Sequence, residues 1–262
     1  MKRKFLWRVL SVWICIFLLL AMVSCTSSPP ANTQASQEAE DFLLGTGMPQ
    51  ETVERLDGDL KQKIYETSAG TERKFITVQD QDTPGSEVLG GNSAIPQNEL
   101  SVSLVVFSDG TQGPETVYTF YPMFTWGTPA SIGNDGFAFS LMSQEEAWNI
   151  VSEERAVWVY QNQDGQWTGC GTIDSPCEAD LCGFGFDGFD QVCSGKNWYK
   201  GIGYMQASRV KEGGSTWFQI GYGRGGSGQN RVKISIFPNR QNTFTLDGKP
   251  AVNRYGRFVL DI

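Results

Sequence analysis

The sequence contains no histidine among its 262 residues. This absence excludes hydrolysis by a Ser-His-Asp or Cys-His arrangement, and it excludes the zinc sites that use histidine ligands. Carboxylate chemistry, calcium binding through oxygen ligands, lysine-based schemes and binding without chemistry remain open. No motif places two acidic residues together for catalysis, so the catalytic residues stay unknown and binding is favoured over enzymatic activity.

Basic charge is scarce outside the N-terminus. The chain has 21 basic and 29 acidic residues, and residues 1–24 hold four of the basic ones and none of the acidic ones. The remaining chain therefore has 17 basic against 29 acidic residues, a net charge of −12. Because it also lacks a basic run, repulsion from phosphate groups argues against nucleic acid as a partner.

The N-terminus has the order of a secretory signal. Four basic residues precede an apolar stretch over 9–23, which ends at Ser24 and Cys25. Fifteen helical residues extend about 22 Å, less than the roughly 30 Å hydrocarbon core of a bilayer. We therefore expect a cleaved signal, with an uncleaved signal anchor as the alternative, and in both cases the rest of the chain lies outside the cytoplasm.

The end of this stretch, Leu-Ala-Met-Val-Ser-Cys at 20–25, resembles the lipobox of bacterial lipoproteins, although Met22 stands where that family prefers leucine. The resemblance covers these residues only. It implies that residues 1–24 are a signal peptide and that Cys25 carries the lipid, palmitate included. The protein would then be held at the extracytoplasmic face of the cell membrane. Residues 25–40 are poor in apolar side chains, so we expect them to form a flexible tether.

The exported part holds four cysteines within one short segment, namely Cys170, Cys177, Cys182 and Cys193. An even set in an exported protein predicts two disulfide bonds, and four cysteines permit three pairings. The alternative is a four-thiolate zinc site. Because the spacings contain no C-x-x-C pair, we expect no metal at these thiols.

Helical periodicity predicts two helices, over 36–45 and 49–65, and we place a helical hairpin at residues 41–68. The second helix has Pro49 near its start and an apolar stripe that includes Val53, Leu60 and Ile64. The stripe is narrow. We therefore expect the hairpin to pack on the domain that follows, with docking on a partner as the alternative.

Residues 70–262 are predicted to form one β-rich extracytoplasmic domain. Apolar and polar residues alternate over 100–106 and 232–236, and two Asp-Gly pairs, at 164–165 and 247–248, have the position of hairpin turns. Ser143 and Glu146 form a capping-box pair that predicts one short helix. Many short strands separated by turn residues predict a mainly β fold, an antiparallel β-sandwich or open barrel.

The segment 170–199 has little strand periodicity, so we predict a long functional loop held by its disulfide bonds. We expect its aromatic and acidic side chains to form a binding surface, made of Phe184, Phe186, Asp187, Phe189, Asp190 and Trp198. Exposed rings would suit a glycan, whereas the alternative is a small core around the disulfide bonds. The acidic residues of this segment are candidates for calcium binding. Because their spacing does not match an EF-hand, we favour the interpretation that these side chains are solvated.

The sequence thus predicts a lipid-anchored extracytoplasmic protein with a β-rich binding or interaction domain. The expected partners are the membrane, through the N-terminal lipid, and a glycan or an envelope protein. Two alternatives remain open. One is a carboxylate-dependent extracellular hydrolase such as a glycosidase, and the other is a structural envelope protein without a ligand.

Overall fold

The computed structural model describes residues 31–68, 70–80, 95–131, 133–142, 148–151, 154–180, 182–193, 195–210, 214–225, 231–237 and 241–261. The predicted signal peptide and Cys25 lie outside these residues, and so do Ser143 and Glu146 of the predicted short helix. Across the part of the chain that is described, no helix is long and apolar enough to cross a bilayer.

Helices α1 (Ala31–Gly45), α2 (Gln50–Arg55) and α3 (Gly58–Glu66) precede the strands. Helix α1 begins inside the segment that we predicted to be a tether, which corrects that prediction for residues 31–40. Burial explains the C-terminal half of this helix, because Ala39 and Leu43 on one face of α1 are fully enclosed. The turn that follows uses Gly47, whose φ of 87° suits glycine.

The predicted second helix is divided into α2 and α3. Leu56 ends α2 in an extended conformation, with ψ of 143°. Asp57 then begins α3 as its N-cap, since its carboxylate accepts a hydrogen bond from the amide of Asp59 at 2.9 Å. The apolar stripe survives this break, because Val53, Leu60 and Ile64 are all buried.

The larger sheet contains eight antiparallel strands. They are β1 (Lys74–Asp80), β2 (Leu100–Gln112), β3 (Glu115–Trp126), β4 (Ala130–Ser131), β6 (Asn149–Ile150), β7 (Ala156–Gln163), β8 (Gln166–Ile173) and β11 (Lys196–Arg209). Their order is β1-β2-β3-β11-β7-β8, with β4 and β6 paired to β11.

The second sheet has five antiparallel strands in the order β16-β12-β5-β10-β9. Their bounds are Gly136–Met142 (β5), Glu178–Asp180 (β9), Gly183–Phe186 (β10), Ser215–Arg224 (β12) and Val252–Asp261 (β16). A third, small sheet consists of β13 (Lys233–Ser235), β14 (Thr243–Leu246) and β15 (Lys249–Pro250), and helix α4 (Phe189–Val192) follows β10.

Three apolar layers hold these elements together. The main core lies between the two large sheets, where Phe120 stacks on Phe218 with ring centres 5.1 Å apart. The helices cover the outer face of the eight-stranded sheet, and the small sheet covers the outer face of the five-stranded one. The fold is therefore an antiparallel β-sandwich with an N-terminal helical region, as the sequence predicted.

The two predicted strand faces are also confirmed. Leu100, Val102, Leu104 and Val106 share the main core, and Val232, Ile234 and Ile236 share the layer under the small sheet. Both predicted Asp-Gly turns have two consecutive residues with positive φ, for example 53° at Asp164 and 83° at Gly165. This is the geometry of a tight two-residue hairpin.

The prediction of a long loop over 170–199 is wrong, because this segment contains β9, β10, α4 and parts of β8 and β11. Strand β10 alternates glycine with phenylalanine. Phe184 and Phe186 point into the main core, whereas Gly185 lies so close to the small sheet that a Cβ there would be 2.9 Å from Ile234 Cγ2. The short helix predicted from Ser143 and Glu146 does not extend over Asn149–Ile150, because these two residues form β6 and pair with β11.

One of the two predicted disulfide bonds is present. Cys170 and Cys193 are bonded, with 5.4 Å between their Cα atoms, whereas Cys177 and Cys182 are free. Cys177 lies beside Gly185, whose carbonyl accepts a hydrogen bond from the Cys177 amide at 2.9 Å, whereas Cys182 lies beside the turn at the other end of the β9–β10 hairpin. Three residue steps separate Gly185 from Cys182, about 10 Å along the strand, which is too far for a disulfide bond between Cys177 and Cys182.

Candidate binding cleft

A cleft of about 390 Å³ lies between helices α2 and α3 and the outer face of the eight-stranded sheet. Leu56 and Leu60 from the helices contribute apolar surface to one wall, and Val78 from β1 contributes to the other. The cleft therefore forms where the helical layer stops covering the sheet.

The floor of the cleft consists of two rows of side chains that cross neighbouring strands. One row is Asp80, Ser103, Met123 and Ile202, and the other is Ser101, Thr125 and Lys200. Because neighbouring strands are about 4.8 Å apart, successive side chains of each row lie at that interval across the floor. The floor thus combines hydroxyl groups and charges with two apolar side chains.

Lys200 joins the floor to the start of α3. Its Nζ lies 2.6 Å from Asp57 Oδ1 and 2.6 Å from Asp59 Oδ2. The same ammonium lies 4.2 Å from the ring centre of Trp167 and 5.2 Å from that of Tyr160. Burial, and then the neighbouring carboxylates, raise the pKa of the Tyr160 phenol, so this ring stays neutral and contributes its face to the cation.

The mouth of the cleft carries an exposed ion pair between Arg55 and Asp80. The Nη2 and Oδ2 atoms are 3.4 Å apart, and the two side chains are 72% and 55% exposed. Such a pair contributes about 0–1 kcal/mol. A ligand can therefore rearrange it at little cost and use either group.

Two tryptophans lie beyond Lys200 on the same face of the sheet and continue the floor of the cleft. Strands β11, β7 and β8 align Trp198, Asn162 and Trp167 in one row, which we call the tryptophan strip. The side chain of Trp198 is among the exposed large apolar groups, at 40%, and its Nε1 donates to the carbonyl of Gly127 at 3.1 Å. Trp167 contacts Lys200, so the strip is continuous with the cleft.

Three of the predicted binding residues cannot form an exposed surface. Phe184, Phe186 and Phe189 all belong to the main core, with at most 3% exposure. In a loop, these three rings would have no strand or helix to bury them. Strand β10 and helix α4 supply that burial, which corrects the prediction for these three rings.

The remaining predicted residues lie apart from one another. Asp187 lines a separate cavity of about 300 Å³, where Arg231 Nη1 is 3.4 Å from both carboxylate oxygens. Asp190 is exposed in α4, whereas Trp198 belongs to the strip. Within the described residues, no group of three or more acidic or cysteine side chains is placed to hold a metal ion.

The two free thiols are poor nucleophiles. Cys182 is buried, and burial with Asp180 nearby raises its pKa to about 11. Cys177 is an exposed residue, but its sulfur is partly desolvated against the Gly185 carbonyl, and this partial burial, with Asp187 nearby, raises its pKa to about 12. Because the thiolate is the reactive form, both groups are largely unreactive at neutral pH. A cysteine-based reaction at this hairpin is therefore unsupported.

Asp135 is a buried acid outside the cleft. Its two oxygens accept hydrogen bonds from Tyr222 OH and from the amide of Gly225, each at 2.6 Å. Burial raises the pKa of this carboxyl group even though both hydrogen bonds lower it. These contacts fix the end of β12, which is a structural role.

Comparisons with known proteins identify no family. No protein-family model matches the sequence, and no curated protein matches it. Clostridium perfringens delta-toxin aligns with a TM-score of 0.34 and 7% identity, over 70% of this chain and 96% of that chain. A pore-forming protein aligns with a TM-score of 0.30 and 8% identity, over 71% and 94%. These TM-scores are too low to support any inference about this chain.

Proposed function

We propose that the chain is a lipid-anchored extracytoplasmic protein that binds a hydroxyl-rich ligand, a glycan of the cell envelope, in the cleft between its helices and its large sheet. The observation that carries the binding role is the cleft floor, where the hydroxyl groups of Ser101, Ser103 and Thr125 form one cluster beside the apolar side chains of Met123 and Ile202. Ligand sites usually combine apolar walls with a few polar groups that orient the ligand.

The proposed location rests on the signal-like N-terminus, on Cys25 and on the disulfide chemistry. A bond between Cys170 and Cys193 suits an oxidising compartment outside the cytoplasm. Helix α1 begins at Ala31, so a lipid on Cys25 would hold the fold within about 20 Å of the bilayer. The cleft would then meet ligands at the membrane surface.

The contacts of the carboxyl groups in the cleft favour binding over hydrolysis. Asp57 and Asp80 both line the cleft, and each is ion-paired, with Lys200 and Arg55 respectively. A glycosidase needs two carboxyl groups that face each other across the scissile bond, one of them able to donate a proton. Asp57 is instead held by Lys200 and by the amide of Asp59, where it begins helix α3, so it is not free to face Asp80 across a ligand.

The binding proposal can be tested by removing single hydroxyl groups from the floor. Thr125→Val and Ser103→Ala should each weaken the binding of an envelope oligosaccharide roughly threefold to tenfold, because a hydrogen bond contributes about 0.5–1.5 kcal/mol. Isothermal titration calorimetry against N-acetylglucosamine and glucose oligomers provides the measurement. Thr243→Val, an exposed position on β14, is the matched control and should bind as the wild type does.

The result would contradict the proposal if no oligosaccharide bound, or if the floor variants bound as tightly as the control. Lipidation is tested separately. A fatty-acid label should be incorporated into the wild-type chain and not into Cys25→Ser, and equal labelling of both would contradict the anchor.

A further inference from the structure

We infer that the tryptophan strip is a second subsite, which extends the cleft and stacks on the rings of a neutral pyranose oligosaccharide. The inference rests on the proposed function, because it assigns the ligand class of the same cleft. It concerns Trp198, Asn162 and Trp167, which lie on three neighbouring strands.

The geometry of the strip suits a chain of sugar rings. Trp198 and Trp167 are two strands apart, about 10 Å, with the Asn162 amide between them. The surface from Asp80 in β1 to Trp167 in β8 crosses five strand intervals, about 24 Å. A single sugar cannot contact both ends of such a surface, whereas an oligosaccharide can.

The chemistry of the strip matches a pyranose. Such a ring presents C–H groups on its faces and hydroxyl groups at its rim. Indole faces provide apolar contact for the former, and the amide of Asn162 with the floor hydroxyl groups provides partners for the latter. The hydrogen bond from Trp198 Nε1 to the Gly127 carbonyl fixes the indole before a ligand arrives, which reduces the entropy lost on binding.

Charge favours a neutral sugar over an acidic one. The strip itself contains no ionisable side chain, and the whole chain has a net charge of −8. The basic side chains that line the cleft are Arg55 and Lys200, and each is paired with carboxylates. An anionic oligosaccharide would therefore meet an acidic protein, and the cleft cation Lys200 is already neutralised by two carboxylates.

The test measures affinity as a function of oligomer length. N-acetylglucosamine and glucose oligomers of one to six units are titrated into the full-length wild-type protein, Trp198→Ala and Trp198→Phe. We expect wild-type affinity to rise with length, and Trp198→Ala to bind the hexamers roughly tenfold more weakly while binding the shortest sugars unchanged. Trp198→Phe keeps an aromatic face and should retain most of the affinity.

Two controls separate the strip from the fold and from the cleft. Trp217→Ala removes a half-buried tryptophan from the other sheet and should leave every affinity unchanged. Thr125→Val alters the cleft floor and should weaken all lengths alike. Far-UV circular dichroism and the unfolding midpoint show whether Trp198→Ala is folded, and Trp198→Phe gives an independent answer if it is not.

Each outcome decides one claim. If Thr125→Val weakens binding at every length and Trp198→Ala changes none, the strip is not a subsite and the proposed function stands. If anionic oligogalacturonates bind better than the neutral series, the assigned ligand class is wrong. If no sugar binds, or if neither variant differs from Trp217→Ala, the proposed function fails together with the inference.

Discussion

Removing the two carboxylates that neutralise Lys200 should destabilise the protein more than removing Lys200 itself. The lysine side chain is 4% exposed, whereas those of Asp57 and Asp59 are 38% and 32% exposed. An ammonium left buried without a partner keeps its full desolvation cost. Carboxylates that are a third exposed regain water when the lysine is absent.

The magnitudes follow from this asymmetry. In Asp57→Asn/Asp59→Asn the new asparagine at 57 remains a good N-cap, so the change is mainly in charge. Leaving a buried charge unpaired costs about 3–5 kcal/mol. Lys200→Met keeps the length of the side chain and loses partly exposed ion pairs and the contact with Trp167, which together amount to about 1–2 kcal/mol.

Urea unfolding of the full-length chain measures both costs. The triple variant, with methionine at 200 and asparagine at 57 and 59, leaves no buried charge, so its free energy of unfolding should exceed that of Asp57→Asn/Asp59→Asn. A Lys200→Met variant that is destabilised as much as Asp57→Asn/Asp59→Asn, or more, would refute the reasoning. So would a triple variant that is the least stable of the set.

Three further predictions concern stability. Burial raises the pKa of Asp135, so the folded chain binds the proton of this carboxyl group more tightly than the unfolded chain does. The free energy of unfolding of the wild type, compared with that of Asp135→Asn, should therefore fall as the pH rises above about 4. Urea unfolding at several pH values measures this difference. The free energy of unfolding of Cys170→Ala/Cys193→Ala should be about 3 kcal/mol lower than that of the wild type, because the disulfide bond joins residues 23 apart. The reduced wild-type protein should show the same loss. Phe186→Ala should lower the free energy of unfolding by about 3–5 kcal/mol, and Trp198→Ala should lower it by less than about 1 kcal/mol, because Phe186 is buried and Trp198 is exposed. Equal losses of the two variants in denaturant unfolding would contradict this difference.

The parts of the fold that depend on local pattern were predictable. The alternation over 100–106 places four apolar residues on one face, and the structure puts all four in the main core. An Asp-Gly pair between apolar runs requires positive φ at both positions, which Asp164 and Gly165 show. These features need no information from distant residues.

Strand β10 shows why a local pattern can mislead. Its sequence, Gly-Phe-Gly-Phe, has a period of two, but glycine is also the residue of turns, and the neighbouring acidic residues and cysteines favoured a loop. What decides the strand is the pairing of Phe184 with Phe139, and the close approach of Ser140, whose Cα would lie 2.6 Å from a Cβ at Gly183. Both partners are more than 40 residues away in sequence.

The cleft depends on register, which the sequence does not show. Period-two alternation already places Trp198, Lys200 and Ile202 on one face of a strand. It does not reveal that this face meets Asp57, which lies 143 residues before Lys200. A slip of one residue between β3 and β11 would turn this face toward the main core and place Tyr199 or Gly201 opposite Thr125 in place of Lys200. The buried ammonium of Lys200 meets Asp57 and Asp59 in the observed register, so the residues that form the candidate site also help to specify the strand pairing that creates it.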